Sequence, residues 1–95
     1  MTARRSTAFM VEPFLDYLAF ERGLSDRTLS AYRRDLDRLL AFLEQVGRGG
    51  PPEILPSDLR EYVFVLKDAG LAPTSIRRAL SAMRGYFGFL MEEGV

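Results

Sequence analysis

The sequence contains no cysteine and no histidine. Without cysteine, the chain can form neither a disulfide nor a thiolate metal site. The absence of histidine also excludes nucleophile–base pairs of the Ser–His and Cys–His kinds, and with them the usual zinc and haem ligand sets. The only lysine is Lys67, and the carboxylates are scattered among basic residues, as on an ordinary solvated surface. We therefore expect no catalytic residue, no metal and no cofactor, so an enzyme acting alone is the disfavoured interpretation.

Long apolar segments are also missing. No stretch approaches the ~18–20 consecutive apolar residues of a membrane span. The N-terminal residues lack the apolar core of a secretory signal. These absences predict a cytoplasmic protein without a membrane or small-molecule partner. Residues 1–10 are expected to be a flexible N-terminus, in which Arg4 and Arg5 add only loose electrostatic attraction.

The sequence does contain enough apolar residues for one packed core. Of its 95 residues, 47% are hydrophobic, including seven Phe and four Tyr. This length suits one domain, and the composition favours a globule over a disordered segment. We predict that residues 11–95 form a single domain.

Glycine and proline divide the chain into four segments with helical periodicity. The breaks are Gly23, residues 47–52 and residues 70–73. The predicted helices are Val11 to Glu21, a second from the N-cap Ser25 to Gly47, and two more that follow Pro56 and Pro73. The sequence therefore predicts an all-α fold, a compact four-helix bundle.

Hydroxyl and carboxyl residues near the last two helix starts are candidate caps. Ser57 or Asp58 is expected to cap the third helix, and Asp58 with Glu61 has the spacing of a capping box. Thr74 or Ser75 is expected to cap the fourth helix. The run YVFVL in the third segment is compatible with a strand, but the cap and the lack of a pairing partner favour a helix.

Apolar residues in the fourth segment step by four, three, four and three positions, which predicts one buried stripe. Its members are Ile76, Leu80, Met83, Phe87 and Leu90. Gly85 and Gly88 lie in the same helix at a cost of up to ~1 kcal/mol each relative to alanine. They indicate either close packing against another helix or fraying near the helix end.

The net charge of zero is the main objection to nucleic-acid binding. The charges are segregated, however, because Arg77, Arg78 and Arg84 lie between Thr74 and Met91 with no acid among them. Binding depends on the face that is presented rather than on the total charge. The neutral composition therefore leaves a local DNA-binding face open.

The polar face of the fourth helix combines long cations with small residues. Its rows are Arg77, Ser81, Arg84 and Gly88, at i, i+4, i+7 and i+11, and the adjacent Thr74, Arg78 and Ser81. Small residues allow a close approach, arginine forks suit phosphates or guanine, and an α-helix fits the major groove. An ordinary solvated face in an arginine-rich protein is the alternative interpretation.

The second helix begins with hydroxyls and cations, a pattern that suits a bound phosphate. These residues are Ser25, Thr28, Tyr32, Arg33 and Arg34. Each has a plainer explanation as well, since Ser25 can serve as a cap and Tyr32 as a core residue. Asp35, in addition, can neutralise a neighbouring arginine.

Two strings in the expected order resemble one family. FLDYLAFERGLSDRTLSAYRRDLDRLLAFL, residues 14–43, and TSIRRALSAMRGYFGFLMEEGV, residues 74–95, resemble the N-terminal core-binding domain of Xer-type tyrosine recombinases and phage integrases. The resemblance covers residues 11–95. It implies a SAM-like helical bundle that forms half of a clamp around the duplex of a recombination site.

The resemblance also implies particular partners and contact residues. The partners are double-stranded DNA, the C-terminal catalytic domain and neighbouring recombinase subunits. The motif that positions the catalytic tyrosine is not in this sequence, so binding is the only role implied. The implied DNA contacts are Ser25, Thr28, Tyr32, Arg33, Ser75, Arg77, Arg78, Ser81 and Arg84.

Two positions differ from the DNA contacts that the resemblance implies for the rest of the two helices. Arg34 is held back, because an ion pair with Asp37 is expected to occupy it. Gly85 stands where some relatives have a second cation, which puts one phosphate contact in doubt. The sequence leaves open whether the process is dimer resolution or DNA integration.

A protein-interaction module remains the alternative from another functional class. In that interpretation, exposed apolar residues such as Phe64 or Phe89 dock a partner or a second subunit.

Overall fold

The computed structural model describes residues 8–94, and within that range the chain has four α-helices, one short 3-10 helix and no strand. The helices are α1 (Val11–Phe20), α2 (Asp26–Gln45), the 3-10 helix (Pro51–Glu53), α3 (Pro56–Asp68) and α4 (Pro73–Glu92). The predicted all-α bundle is confirmed. Residues 62–66, the YVFVL run, are helical.

The start of α2 is as predicted. The Ser25 backbone is extended, and its side-chain oxygen accepts a hydrogen bond from the backbone N–H of Thr28 at 3.3 Å. This bond satisfies one of the donors that the first turn leaves without an intrahelical partner.

The predicted caps of α3 and α4 are wrong. Both helices begin at a proline, and the preceding residues Leu55 and Ala72 occupy the N-cap positions. Proline suits a first helical position because its φ is preset and its missing N–H would have no partner there anyway. Asp58 lies at the third helical position, where its carboxylate accepts the Leu55 backbone N–H at 2.8 Å.

Neither Thr74 nor Ser75 caps α4, because the helix already starts at Pro73. Both residues therefore lie inside the first turn.

The buried face of α4 is rotated from the predicted stripe. Its buried residues are Ala79, Ala82, Tyr86, Phe89 and Leu90. Of the predicted stripe, only Leu90 is fully buried, and the other members pack against the core while partly exposed. The helix thus turns Ala79 and Ala82 inward together with Tyr86 and Phe89, and small residues at a helix contact allow a close approach.

Phe89 is buried, which corrects its prediction as an exposed docking residue. Its ring centroid lies 5.6 Å from that of Phe14 and 5.5 Å from that of Tyr17, so it belongs to the aromatic contact between α1 and α4. Phe64 is 64% exposed, in agreement with the prediction.

The segment before α1 is anchored to α4. Phe9 is buried, and the Tyr86 hydroxyl donates a hydrogen bond of 2.6 Å to its carbonyl oxygen. Arg4 and Arg5 of the predicted flexible N-terminus lie outside the described residues.

The two glycines inside α4 are not required by packing. A Cβ at Gly85 would meet the Phe14 ring at 3.6 Å, an ordinary contact, and a Cβ at Gly88 would meet nothing within 4 Å. The helix continues past both glycines to Glu92, so they do not mark its end.

Candidate nucleic-acid interface

The outer face of α4 presents two arginines to solvent. Arg77, Ser81, Arg84 and Gly88 are all exposed, as their spacing predicted. Among residues 8–94, Arg77 and Arg84 have no hydrogen-bond or ion-pair partner. We call these four residues the arginine face. Its guanidinium donors are available to an anionic ligand.

Arg78 follows Arg77 of the arginine face, and its guanidinium is bound by Asp35 of α2. Its Nε donates to Asp35 Oδ2 at 2.8 Å and its Nη2 donates to Asp35 Oδ1 at 3.0 Å. The Asp35 side chain is only 2% exposed, whereas that of Arg78 is 36% exposed. The hydrogen bonds that Arg78 donates to Asp35 raise the pKa of Arg78, so the guanidinium is firmly charged. The pair joins α2 to α4.

The start of α2 carries two hydroxyl residues, Ser25 and Thr28. The Ser25 hydroxyl donates to Thr28 Oγ1 at 3.1 Å in addition to its capping bond. Tyr32 is half-buried against the core, as its place in the apolar stripe predicted. One side of α2 carries Ser25, Thr28, Tyr32 and Asp35 in a row. The last of these, Asp35, contacts the Arg78 guanidinium.

Arg33 is not brought into this group. Its Nη2 pairs with Glu12 Oε2 of α1 at 2.6 Å, and the two side chains are 46% and 59% exposed. Since Arg33 and Asp35 are about 200° apart around the helix, they lie on different sides of α2. Exposed pairs of this kind are weak, so Glu12 can yield Arg33 to a phosphate at little cost.

Three exposed arginines of α2, namely Arg27, Arg34 and Arg38, were left out of the predicted contacts. Arg34 forms no ion pair with Asp37 within the described part of the chain, so the reason for holding it back was wrong. Arg27 lies seven residues earlier on the same side of α2 and is equally exposed. Their i, i+7 spacing, which Arg77 and Arg84 share, is the signal that could have identified them.

A shallow apolar groove lies away from the arginine face, between α2 and α3. Phe42, Tyr62 and Val65 line it, and its volume is about 480 Å³. The buried Tyr62 hydroxyl has no hydrogen-bond partner among residues 8–94. Phe64, which is exposed, lies between Tyr62 and Val65 in the sequence.

Comparison with known proteins gives one family model, described as phage integrase, N-terminal SAM-like domain, which matches residues 11–94. The chain is 39% identical over 89 residues to a tyrosine recombinase XerC of Xanthomonas campestris pv. campestris, an alignment that covers 94% of this chain and 28% of the relative. It is 41% identical over 95 residues to a tyrosine recombinase XerD of Bradyrhizobium diazoefficiens, covering 100% of this chain and 30% of that protein.

A tyrosine recombinase XerD of Chlorobaculum tepidum is 41% identical over 83 residues, which is 87% of this chain and 27% of the relative. The chain therefore spans less than a third of the length of these curated relatives. No solved structure matches it. Within residues 8–94, no helix is long and apolar enough to cross a membrane.

Proposed function

Since this chain belongs to the phage integrase N-terminal SAM-like domain family, we propose that it binds duplex DNA through α4 and the start of α2. The observation that carries the proposal is the exposed, acid-free row from Arg77 to Arg84, whose guanidinium groups have no partner in the described range. Seven residues of helix separate these arginines by about 10.5 Å along the axis. A helix with its side chains is about 10–12 Å in diameter, which fits a major groove about 12 Å wide.

The physical role proposed for the arginines is to hold phosphates. Phosphate contacts set the position of a protein on the duplex, and contacts to base edges add sequence preference. Arg33, Arg77, Arg78 and Arg84 would make about four phosphate contacts, which gives a slope of log K against log salt of roughly −3 to −4. Such binding is weak at physiological salt and suits a domain that grips one side of a duplex while another domain holds the opposite side.

The hydroxyl residues are assigned supporting contacts. Ser25 and Thr28 at the start of α2, and Ser75 and Ser81 on α4, can each donate to a phosphate oxygen. Tyr32, which is half-buried, is assigned a contact through its hydroxyl in the same way. These contacts would fix the distance between the domain and the backbone of the duplex.

We assign this chain a binding role only, within a longer tyrosine recombinase whose other domain performs the chemistry. The matched family is defined as an N-terminal domain, and the sequence has neither histidine nor cysteine. The cytoplasmic location expected from the sequence agrees with access to DNA and stays a prediction.

The test is fluorescence anisotropy with a labelled mixed-sequence duplex at about 50 and about 200 mM salt. The double variant Arg77→Glu/Arg84→Glu should lose salt-sensitive binding while its helical circular dichroism is unchanged. Arg60→Glu/Lys67→Glu is the matched control, because it changes two exposed cations of α3 at the same i, i+7 spacing and lowers the net charge equally. The proposal fails if the two double variants bind equally well.

A protein-contact role for the groove between α2 and α3 is the second candidate. Phe64 is 64% exposed and Val65 is 38% exposed, so α3 presents two neighbouring apolar side chains to solvent. The occupant would be a neighbouring recombinase subunit or the catalytic domain. Sedimentation of wild type and Phe64→Ser tests this role, since a subunit contact through Phe64 requires the variant to associate more weakly.

A further inference from the structure

The Asp35 carboxylate is a buried charge with a single partner. Its side chain is 2% exposed, and within residues 8–94 its only hydrogen bonds are those from Nε and Nη2 of Arg78. Burying a carboxylate is unfavourable, and an apolar pair of similar volume often stabilises a protein equally well. The stability of the bundle therefore gives no reason for this pair.

The chain contains a second buried carboxylate that does have a local structural reason. Asp58 also accepts two hydrogen bonds from an arginine, Arg48, but it accepts the Leu55 backbone N–H as well. Asp58 thus completes the start of α3. Asp35 lies in the interior of α2 and, within the described residues, accepts no hydrogen bond from a backbone donor, so its hydrogen bonds act on Arg78 alone.

The pairing leaves a defined part of Arg78 free. A guanidinium has five N–H donors, and Asp35 occupies one on Nε and one on Nη2. Three donors remain, and the two on the Nη1–Nη2 edge have the fork geometry that receives a phosphate through two parallel hydrogen bonds. The Arg78 side chain is 36% exposed, so part of it is open to solvent and to a ligand while Asp35 holds the other side.

We infer that Asp35 is a positioning residue, which holds the free edge of Arg78 toward a DNA phosphate beside the arginine face. This inference rests on the proposed function. Ordering a long side chain at an interface costs about 0.5–1.5 kcal/mol, and an arginine that is already ordered avoids that cost. By contrast, Arg33 is held only by the exposed Glu12 and has to be reoriented when it binds.

Asp35→Asn separates this role from simple electrostatics. Removal of a negative charge from a DNA-binding domain should strengthen binding if only the total charge matters. The positioning role predicts the opposite, a dissociation constant about two- to tenfold higher, because the loosened Arg78 now loses freedom on binding. Glu12→Gln is the matched control, since it also removes one acid paired with an arginine, and it should bind at least as tightly as wild type.

A double-mutant cycle with Arg78→Lys identifies the residue through which Asp35 acts. Lysine keeps the charge but cannot make the two-pronged contact. If Asp35 acts through Arg78, D35N weakens binding in the wild-type background and leaves binding unchanged in the R78K background. Thermal melts of wild type, D35N, R78K and the double variant show at which temperatures all four proteins are folded. Binding is measured only at those temperatures.

Each remaining outcome has one meaning. Binding by D35N that equals or exceeds wild type overturns the positioning role, as does an equal loss in both backgrounds. If wild type itself shows no salt-sensitive binding, or if the control Arg60→Glu/Lys67→Glu fails as badly as the arginine-face variant, the proposed function is what has failed.

Discussion

Asp35 of α2 and Arg78 of α4, which are 43 positions apart in the chain, are joined by hydrogen bonds of 2.8 and 3.0 Å. The carboxylate is buried, while the guanidinium reaches the surface beside the exposed arginines. The core of the bundle and its proposed DNA-binding face therefore meet at one ion pair. A change on either side of this pair affects both stability and binding.

Arg78→Ala should destabilise the domain more than the neighbouring Arg77→Ala. Loss of Arg78 leaves Asp35 buried without a partner, and we expect a cost of about 2 kcal/mol, below the 3–5 kcal/mol of fully buried pairs because water reaches the site. Arg77 is exposed and without a partner in the described range, so its replacement should stay within about 0.5 kcal/mol. Urea unfolding of both variants measures the difference, and equal costs would show that the buried Asp35 carboxylate does not need Arg78 as its partner.

The elements that depend on local sequence were predicted well. The four helices and the Ser25 cap follow from glycine and proline breaks and from the apolar period, which act over a few residues. The exposed arginine face also follows from spacing, because Arg77 and Arg84 lie opposite the apolar side of α4.

Features that depend on how helices dock were not predictable in this way. Asp35 was expected to neutralise a neighbouring arginine, but its partner lies on another helix, and that pairing exists only once α2 and α4 are packed. Phe89 was assigned to the surface because periodicity did not reveal that the alanine row of α4 faces the core. Hydrophobic patterns give alanine little weight, although its size decides how closely two helices approach.

The two most buried tyrosines should respond oppositely when their hydroxyls are removed. Tyr86→Phe deletes the 2.6 Å hydrogen bond to the Phe9 carbonyl and leaves that oxygen without its donor, at a cost of about 1–2 kcal/mol. The hydroxyl of Tyr62 has no partner in the described range, so Tyr62→Phe should be neutral or stabilising. Thermal unfolding at neutral pH compares the stabilities of the two variants. A larger loss for Tyr62→Phe would indicate a partner for that hydroxyl.

Alkaline pH should destabilise the domain through the same two tyrosines. Burial raises the pKa of Tyr62 to about 12 and that of Tyr86 further. In the unfolded chain a tyrosine titrates near pH 10, so above that pH the unfolded state releases protons that the folded state retains. Stability is therefore fully present below about pH 10 and falls as pH rises toward 12.

Urea unfolding at a series of pH values measures this effect. Tyr62→Phe should lose less stability than wild type over the alkaline range, and an unchanged pH profile would show that Tyr62 titrates equally in both states.

Ser25 should separate helix capping from DNA contact. Ser25→Ala removes the acceptor of the Thr28 N–H and should cost about 1 kcal/mol. Asp is an equally good N-cap, so Ser25→Asp should keep the stability of wild type while its negative charge repels a phosphate. Urea titration and duplex anisotropy measured on the same two proteins test this, and undiminished DNA binding by the aspartate variant would place the start of α2 outside the contact.

Amide chemical-shift mapping of the labelled domain, titrated with duplex at low salt, reports which face of the bundle meets DNA. Binding through α4 and the start of α2 should concentrate the shifts in residues 25–34 and 74–88, and the shifts should fade as salt is raised. Shifts that instead surround the groove between Phe42 and Val65, or that leave Arg77 and Arg84 unchanged at saturation, would contradict this mode of binding.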